Sequence, residues 1–178
     1  MSEPNVQCAD AQAEQVLALL AGKMVACLHA VPASVHDGTF DEIECSECFG
    51  TGQRPKYPRL VEPCTGLYGN EGDRHGGAGC GFCGGSGWLP IPLAEVAGAA
   101  LVTAQEQLGC WVWLRYDHDG HAQLPELAVT WRATLERLRL TSDSKAMRGN
   151  LYAPGIGATP ELALLLALAA ADKANEAV

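Results

Sequence analysis

The chain has 178 residues, 12 Lys+Arg against 21 Asp+Glu, and a formal net charge of −9. An apolar fraction of 48% can build a core and excludes a disordered chain, while the longest apolar run, Leu162 to Ala171, is too short to cross a bilayer. The acidic total argues against broad, charge-driven binding to nucleic acid or a membrane surface, and the polar start of the chain shows no secretory signal, so a cytoplasmic protein is expected.

In chain order, the first predicted element is a helix from Ala9 to Cys27, where Val16, Leu19, Leu20, Met24 and Cys27 recur at helical spacing. Residues 1–44 are then this helix plus an acidic connection. Residues 45–87 hold five of the eight cysteines and twelve of the twenty glycines, and read as an insert. Ordinary packed-domain composition resumes over 88–178. A helix is predicted from Leu93 to Leu108, with Pro92 at its start, Gly109 as its stop and a narrow stripe of Val96, Ala99, Ala100, Thr103 and Gln107. Cys110 to Tyr116 alternates like a strand, and Asp117 to Gly120 has turn chemistry. Leu127 to Trp131 resumes strand character, and strand is preferred over helix for 132–140. Gly149 to Gly157 is expected to be a loop. Thr159-Pro160-Glu161 opens a last, mostly buried helix with an N-cap, a first-turn proline and a favourable carboxylate.

The chemistry lies in Cys45-Ser-Glu-Cys48-Phe-Gly50-Thr-Gly52 and its echo Cys80-Gly-Phe-Cys83-Gly-Gly85-Ser-Gly87, both C-x-x-C-x-G-x-G. Two cysteines separated by two residues can present both sulfurs to one ion, and two such pairs complete a tetrahedral thiolate shell. Glycine after the second cysteine lets the chain turn back and aim N–H groups at the sulfurs. A redox pair normally opens a helix, which these glycines forbid. Disulfides need an oxidising compartment that nothing here indicates. One structural Zn2+ held by Cys45, Cys48, Cys80 and Cys83 is therefore expected, with Cys64 and His75 as alternative donors. Cys8, Cys27 and Cys110 are expected to be small buried side chains.

The duplicated motif resembles the cysteine-rich zinc-binding segment of DnaJ-type co-chaperones over residues 45 to about 87. That family carries four such repeats and two zinc sites; two repeats here imply one site. The chain contains no His-Pro-Asp tripeptide, so co-chaperone activity does not carry over. What does carry over is zinc binding and a protein-contact role for the hairpins. The closing segment from Gly157, with Trp131 to Leu135 before it, resembles the bacteriophage ABA-sandwich proteins. It implies an α+β fold, a small antiparallel sheet packed with helices, carrying the Gly/Cys-rich insert, and a phage or prophage origin.

Nucleophile-elbow, P-loop, dinucleotide-binding and H-E-x-x-H motifs are all missing from the sequence. The expected role is a non-enzymatic, zinc-stabilised accessory protein that binds a host or phage protein as an adaptor or inhibitor. Phe49, Tyr57, Leu67, Tyr68 and Phe82 would be its contacts. The alternative is a zinc protein that binds nucleic acid through Arg54, Lys56, Tyr57 and Arg59, or through Arg132, Arg137, Arg139, Lys145 and Arg148.

Overall fold

The computed structural model describes residues 4–27, 53–64, 80, 82–84, 86–117, 130–140 and 146–176. Its helices pack against small antiparallel sheets, which is the α+β class expected. Helix α1 spans Pro4–Ala21 and buries Ala9, Ala13, Leu17, Leu20 and Ala21 along one stripe. It stops earlier than the spacing predicts. The Gly22 N–H bonds the Ala18 carbonyl at 2.9 Å, and Met24 enters strand β1 (Met24–Ala26) instead of extending the helix. Leu19, placed on the buried stripe by its spacing, is exposed, because the true stripe runs through Ala13, Leu17 and Leu20.

Strand β1 pairs with β2 (Gln53–Pro55), Met24 facing Pro55 and Ala26 facing Gln53. A 3-10 turn at Pro58–Leu60 leads to β3 (Val61–Pro63), which pairs with β4 (Trp88–Pro90). Tyr57 and Leu60, from the stretch between the two cysteine pairs, belong to the same buried cluster as the helices. A second 3-10 turn at Leu93–Glu95 precedes α2 (Val96–Glu106). Val96, Ala100, Thr103 and Ala104 are its buried residues, while Gln107 lies outside the helix and is exposed. Gly109 ends this region with φ 60°, a left-handed turn that glycine alone adopts without strain.

The main sheet follows. Strands β5 (Cys110–Asp117) and β6 (Thr130–Leu140) pair antiparallel over eight unbroken positions, from Cys110–Arg137 to Asp117–Thr130. The far edge of β6 takes β7 (Ala146–Leu151) along its second half and β8 (Gly155–Gly157) along its first. Between them the Tyr152 N–H donates to the Leu135 carbonyl at 3.1 Å, so β7 and β8 act as one interrupted strand. The loop expected at 149–157 is therefore largely sheet. Asp117, expected to open a turn, ends β5, and residues 118–120 and 127–129 of the expected turn and strand fall outside the described residues.

Helix α3 (Pro160–Glu176) lies against β6 and β8 and touches both α1 and α2. It packs so closely on β8 that a Cβ at Gly155 would sit 2.0 Å from the Ala163 carbonyl oxygen, and one at Gly157 2.8 Å from Leu162 Cγ. Ala133 and Leu135 face this helix side and are fully buried. Trp111, Trp113 and Ile156, on the other parity of the sheet, are exposed. Among the described residues, no helix is long and apolar enough to cross a membrane.

Candidate metal centre

Cys64 is the residue immediately after β3, and its N–H donates to the Gly87 carbonyl at 2.8 Å, extending the β3–β4 pairing by one step. Cys80 and Cys83 form the knuckle opposite. The Gly84 N–H reaches the Cys80 carbonyl at 2.9 Å and the Ser86 N–H reaches the Cys83 carbonyl at 3.0 Å. Gly84 and Gly87 take φ 59° and 76°, which is why glycines must follow the second cysteine. Ser86 closes the knuckle: its Oγ lies 2.8 Å from the Cys83 carbonyl and accepts the Trp88 N–H at 3.2 Å.

This fold brings three sulfurs together. Those of Cys64, Cys80 and Cys83 all lie within 4.8 Å of one another, close enough to hold one metal ion. The Cys64 and Cys80 sulfurs are 3.7 Å apart, whereas a disulfide needs about 2.05 Å. Tetrahedral bonds of ~2.3 Å from thiolate to zinc set the sulfurs about 3.8 Å apart, so the spacing matches a shared ion. The N–H groups of Cys83, first, and Phe82 hold the Cys80 thiol down at about 7, which favours the thiolate that a metal requires.

Of the four expected ligands, Cys80 and Cys83 are placed here, while Cys45 and Cys48 lie outside the described residues, as does His75. Cys64, an alternative donor by sequence, is buried in the cluster. Cys64-Thr-Gly66 repeats the C-x-G half of the motif, the one local signal that favours it. The other cysteines divide: Cys110 is buried as expected, but Cys8 is exposed on α1 and Cys27 only half-buried. Both miss the core because α1 turns Ala9 and Ala13 inward and ends before Cys27.

The chain leading to Cys64 is anchored by charge. Asp172 of α3, 1% exposed, receives the Tyr57 hydroxyl, the Lys23 ammonium and, at 2.5 Å, the Lys56 ammonium. Glu176 lies 2.9 Å from Lys23 and 3.2 Å from Lys56. Burial would raise the Asp172 pKa, but hydrogen bonds from Lys23, Lys56 and Tyr57 outweigh it and hold the carboxyl below its ordinary value. Burial and the Asp172 carboxylate together push the Tyr57 hydroxyl well above its usual range. Tyr57 is therefore a buried anchor and not the surface contact expected. Its aromatic character looked like a contact because its partner, Asp172, is 115 positions away. Phe82 is 71% exposed between two of the sulfur donors, whereas Phe49, Leu67 and Tyr68 lie outside the described residues.

The two basic segments are also resolved in part. Lys56 is engaged by Asp172 and Glu176, and Arg59 faces Glu106 at 3.3 Å. On β6, Arg132 pairs across from Arg115, while Arg137 pairs with the buried Cys110, so strand alternation sends these two arginines to opposite faces.

Comparison of the chain with protein-family models, curated proteins and solved structures returned no match in any of the three. The fold and site thus define a class, an α+β protein with three clustered thiols able to hold a metal ion, and the DnaJ-type and ABA-sandwich likenesses rest on the quoted residues alone.

Proposed function

We propose that the chain is a zinc-stabilised, non-enzymatic accessory protein that acts by binding another protein, as an adaptor or inhibitor. One observation carries this reading: three thiols meet at the head of a β-hairpin with Phe82 exposed between two of them. A closed structural zinc site takes four ligands. With Cys64, Cys80 and Cys83 as three, one cysteine of the Cys45–Cys48 pair would be the fourth, a role supported by a C-x-x-C-x-G-x-G pattern that duplicates the knuckle of Cys80 and Cys83. Four thiolates leave no coordination position for a substrate, so the metal's task is to stiffen the hairpin and present Phe82. The consumed side chains at 56–59 and the split of Arg132 from Arg137 make the nucleic-acid alternative weaker.

Metal content and cobalt substitution test the site. Protein purified without added metal should carry about one zinc per chain, and cobalt should give the intense near-ultraviolet absorption of a thiolate site. Cys64→Ser, Cys80→Ser and Cys83→Ser should each lower the metal affinity. Metal content unchanged by all three substitutions defeats the zinc reading. For the binding role, partner capture from the natural host should be lost on chelation and on Phe82→Ala; capture indifferent to both removes the hairpin as the contact.

A further inference from the structure

Beyond the metal centre, the most conspicuous unassigned feature is β5, Cys110-Trp-Val-Trp-Leu-Arg-Tyr-Asp117. Among the described residues it pairs only with β6, and its other side is an edge of the described sheet. Edge strands are normally blunted by proline, lysine or a bulge. This one has no proline or lysine, its charges are confined to Arg115 and Asp117 in its second half, and its register against β6 is unbroken over its full length. Trp111 is 57% exposed and Trp113 63% exposed, with Arg115 exposed on the same parity.

We propose that β5 is a self-association edge, pairing antiparallel with β5 of a second copy about a two-fold axis at Trp113 to make one continuous sheet. The sequence of the strand is self-complementary in that register. Antiparallel partners share a face. Trp113 therefore meets Trp113 of the second copy, Val112 meets Leu114, and Trp111 meets Arg115, the last two pairs each occurring twice by symmetry. Two arginines then lie beside two indoles, and aromatic and cation–π pairs are favourable across strands. Like charges face each other nowhere along the strand.

A second feature selects this register over its neighbours. A surface cleft of about 300 Å³ lies between α2 and the start of β5, lined by Gln105, Gly109, Cys110 and Trp111. With the axis at Trp113, Tyr116 of the second copy is carried opposite Cys110, and Asp117 opposite Gly109. The Tyr116 ring, partly exposed and edge-on to Trp131 with centroids 5.1 Å apart, is thus set beside that cleft. Moving the axis to Leu114 sets Trp111 against Asp117 and carries the cleft past the end of the strand. Moving it to Val112 leaves Arg115 facing Gly109. The face carries little of the chain's charge: Trp111, Trp113, Arg115, Arg132, Thr134 and Glu136 include two arginines and one carboxylate, although the whole chain is at −9. Trp113 is already held by its Nε1–H to Glu136 at 3.1 Å, so little side-chain freedom is lost on pairing.

Sedimentation of the full chain over a concentration series tests the proposal. The wild type should reach twice the chain mass. Trp113→Glu brings two carboxylates together at the axis and should raise the dimer dissociation constant at least about a hundredfold. Trp111→Glu instead places its carboxylate against Arg115 of the second copy and should change that constant less than about tenfold. Trp113→Cys should, on oxidation, give a covalent dimer joined 113 to 113 in peptide mapping, a readout that does not depend on the stability of the glutamate variants. A wild type that stays monomeric at every concentration overturns the proposal. So does equal weakening by both glutamate variants, or a cross-link from position 113 to another residue.

Discussion

Helix α3 buries Leu162, Ala163, Leu164, Leu165, Ala167, Leu168 and Ala171 against the sheet and the other helices, whereas in the hairpin of β3 and β4, among the described residues from 61 to 90, only Val61, Cys64 and Gly87 are buried. The first region closes mainly by apolar area, at roughly 25 cal/mol per Å² removed from water, with Asp172 as its buried charged residue. The second pairs strands of three residues each, too short to hold without further help. Its glycines, needed for the knuckle, lower its stability as a free chain. On the zinc reading proposed above, the gathered cysteines supply a ligand shell where the described hairpin has little core.

Metal removal should break the comparison most visibly. With a chelator, or in Cys64→Ser, amide exchange at Val61, Glu62, residue 64, Ser86, Gly87, Trp88 and Leu89 should quicken at least about a hundredfold, while α3 changes less than about tenfold. Equal loss in both regions would mean that the metal supports the whole fold, and the two-part account would fall.

The next largest effect belongs to Asp172, which joins the regions. Removing one partner from a buried ion pair costs about 3–5 kcal/mol. Because the Lys23 and Lys56 side chains keep 34% and 28% exposure, Asp172→Ala should sit at the low end, about 3 kcal/mol by urea denaturation. The pH dependence has a definite sign. The folded Asp172 pKa is depressed, so its contribution is present above the ordinary carboxylate value and is lost as pH falls through the folded value. The Lys23 and Lys56 values are raised, so their contribution is full below 10.5 and declines only as pH rises through the folded values. Asp172→Asn should therefore flatten the acid limb of the stability profile and also reduce the alkaline decline, because Asp172 is the largest cause of the raised Lys23 and Lys56 values. An unaltered acid limb would remove Asp172 from the role of link.

Packing on β8 gives a third, smaller effect. Gly155→Ala drives a methyl group into the backbone of α3, where the nearest atoms are the Ala163 oxygen and the Ala167 nitrogen at 2.0 and 2.5 Å. Overpacking of this kind costs about 1–3 kcal/mol, and thermal unfolding should show it with metal content unchanged. Gly98→Ala, which meets nothing within 4 Å on α2, is the control and should be neutral or slightly stabilising.

These same glycines mark what was legible in the chain. Strands β5 and β6 and helix α3 follow from alternation, helical spacing and a capped start, signals that lie within a few neighbouring residues. Strands β7 and β8 do not. Arg-Gly-Asn and Pro154-Gly155 read as loop, and only the close approach of α3 explains glycine at 155 and 157. The Cys80–Cys83 knuckle was legible because its motif is repeated. Cys64 carried only a half-motif, and its place in the cluster depends on β3 pairing with β4 across 24 intervening residues. Tyr57 and Asp172 share no local pattern at all, so their bond is visible only in three dimensions.

The smallest expected effect separates the regions most cleanly. Thr159 caps α3: its Oγ1 accepts the Leu162 N–H at 3.2 Å, and its carbonyl takes the Ala163 N–H at 3.1 Å as the first helical bond. Pro160 has no N–H to satisfy, and Glu161 adds charge that favours the helix start. Thr159→Ala removes one hydrogen bond from the helix that carries the apolar core and touches nothing near the sulfurs. It should cost about 1 kcal/mol, and Thr159→Ser should restore nearly all of it. If the regions are held independently, this loss appears in global unfolding with no change in cobalt absorption or hairpin exchange. A matching change at the hairpin would show that even a slight loosening of α3 reaches the sulfurs through Asp172 and Tyr57.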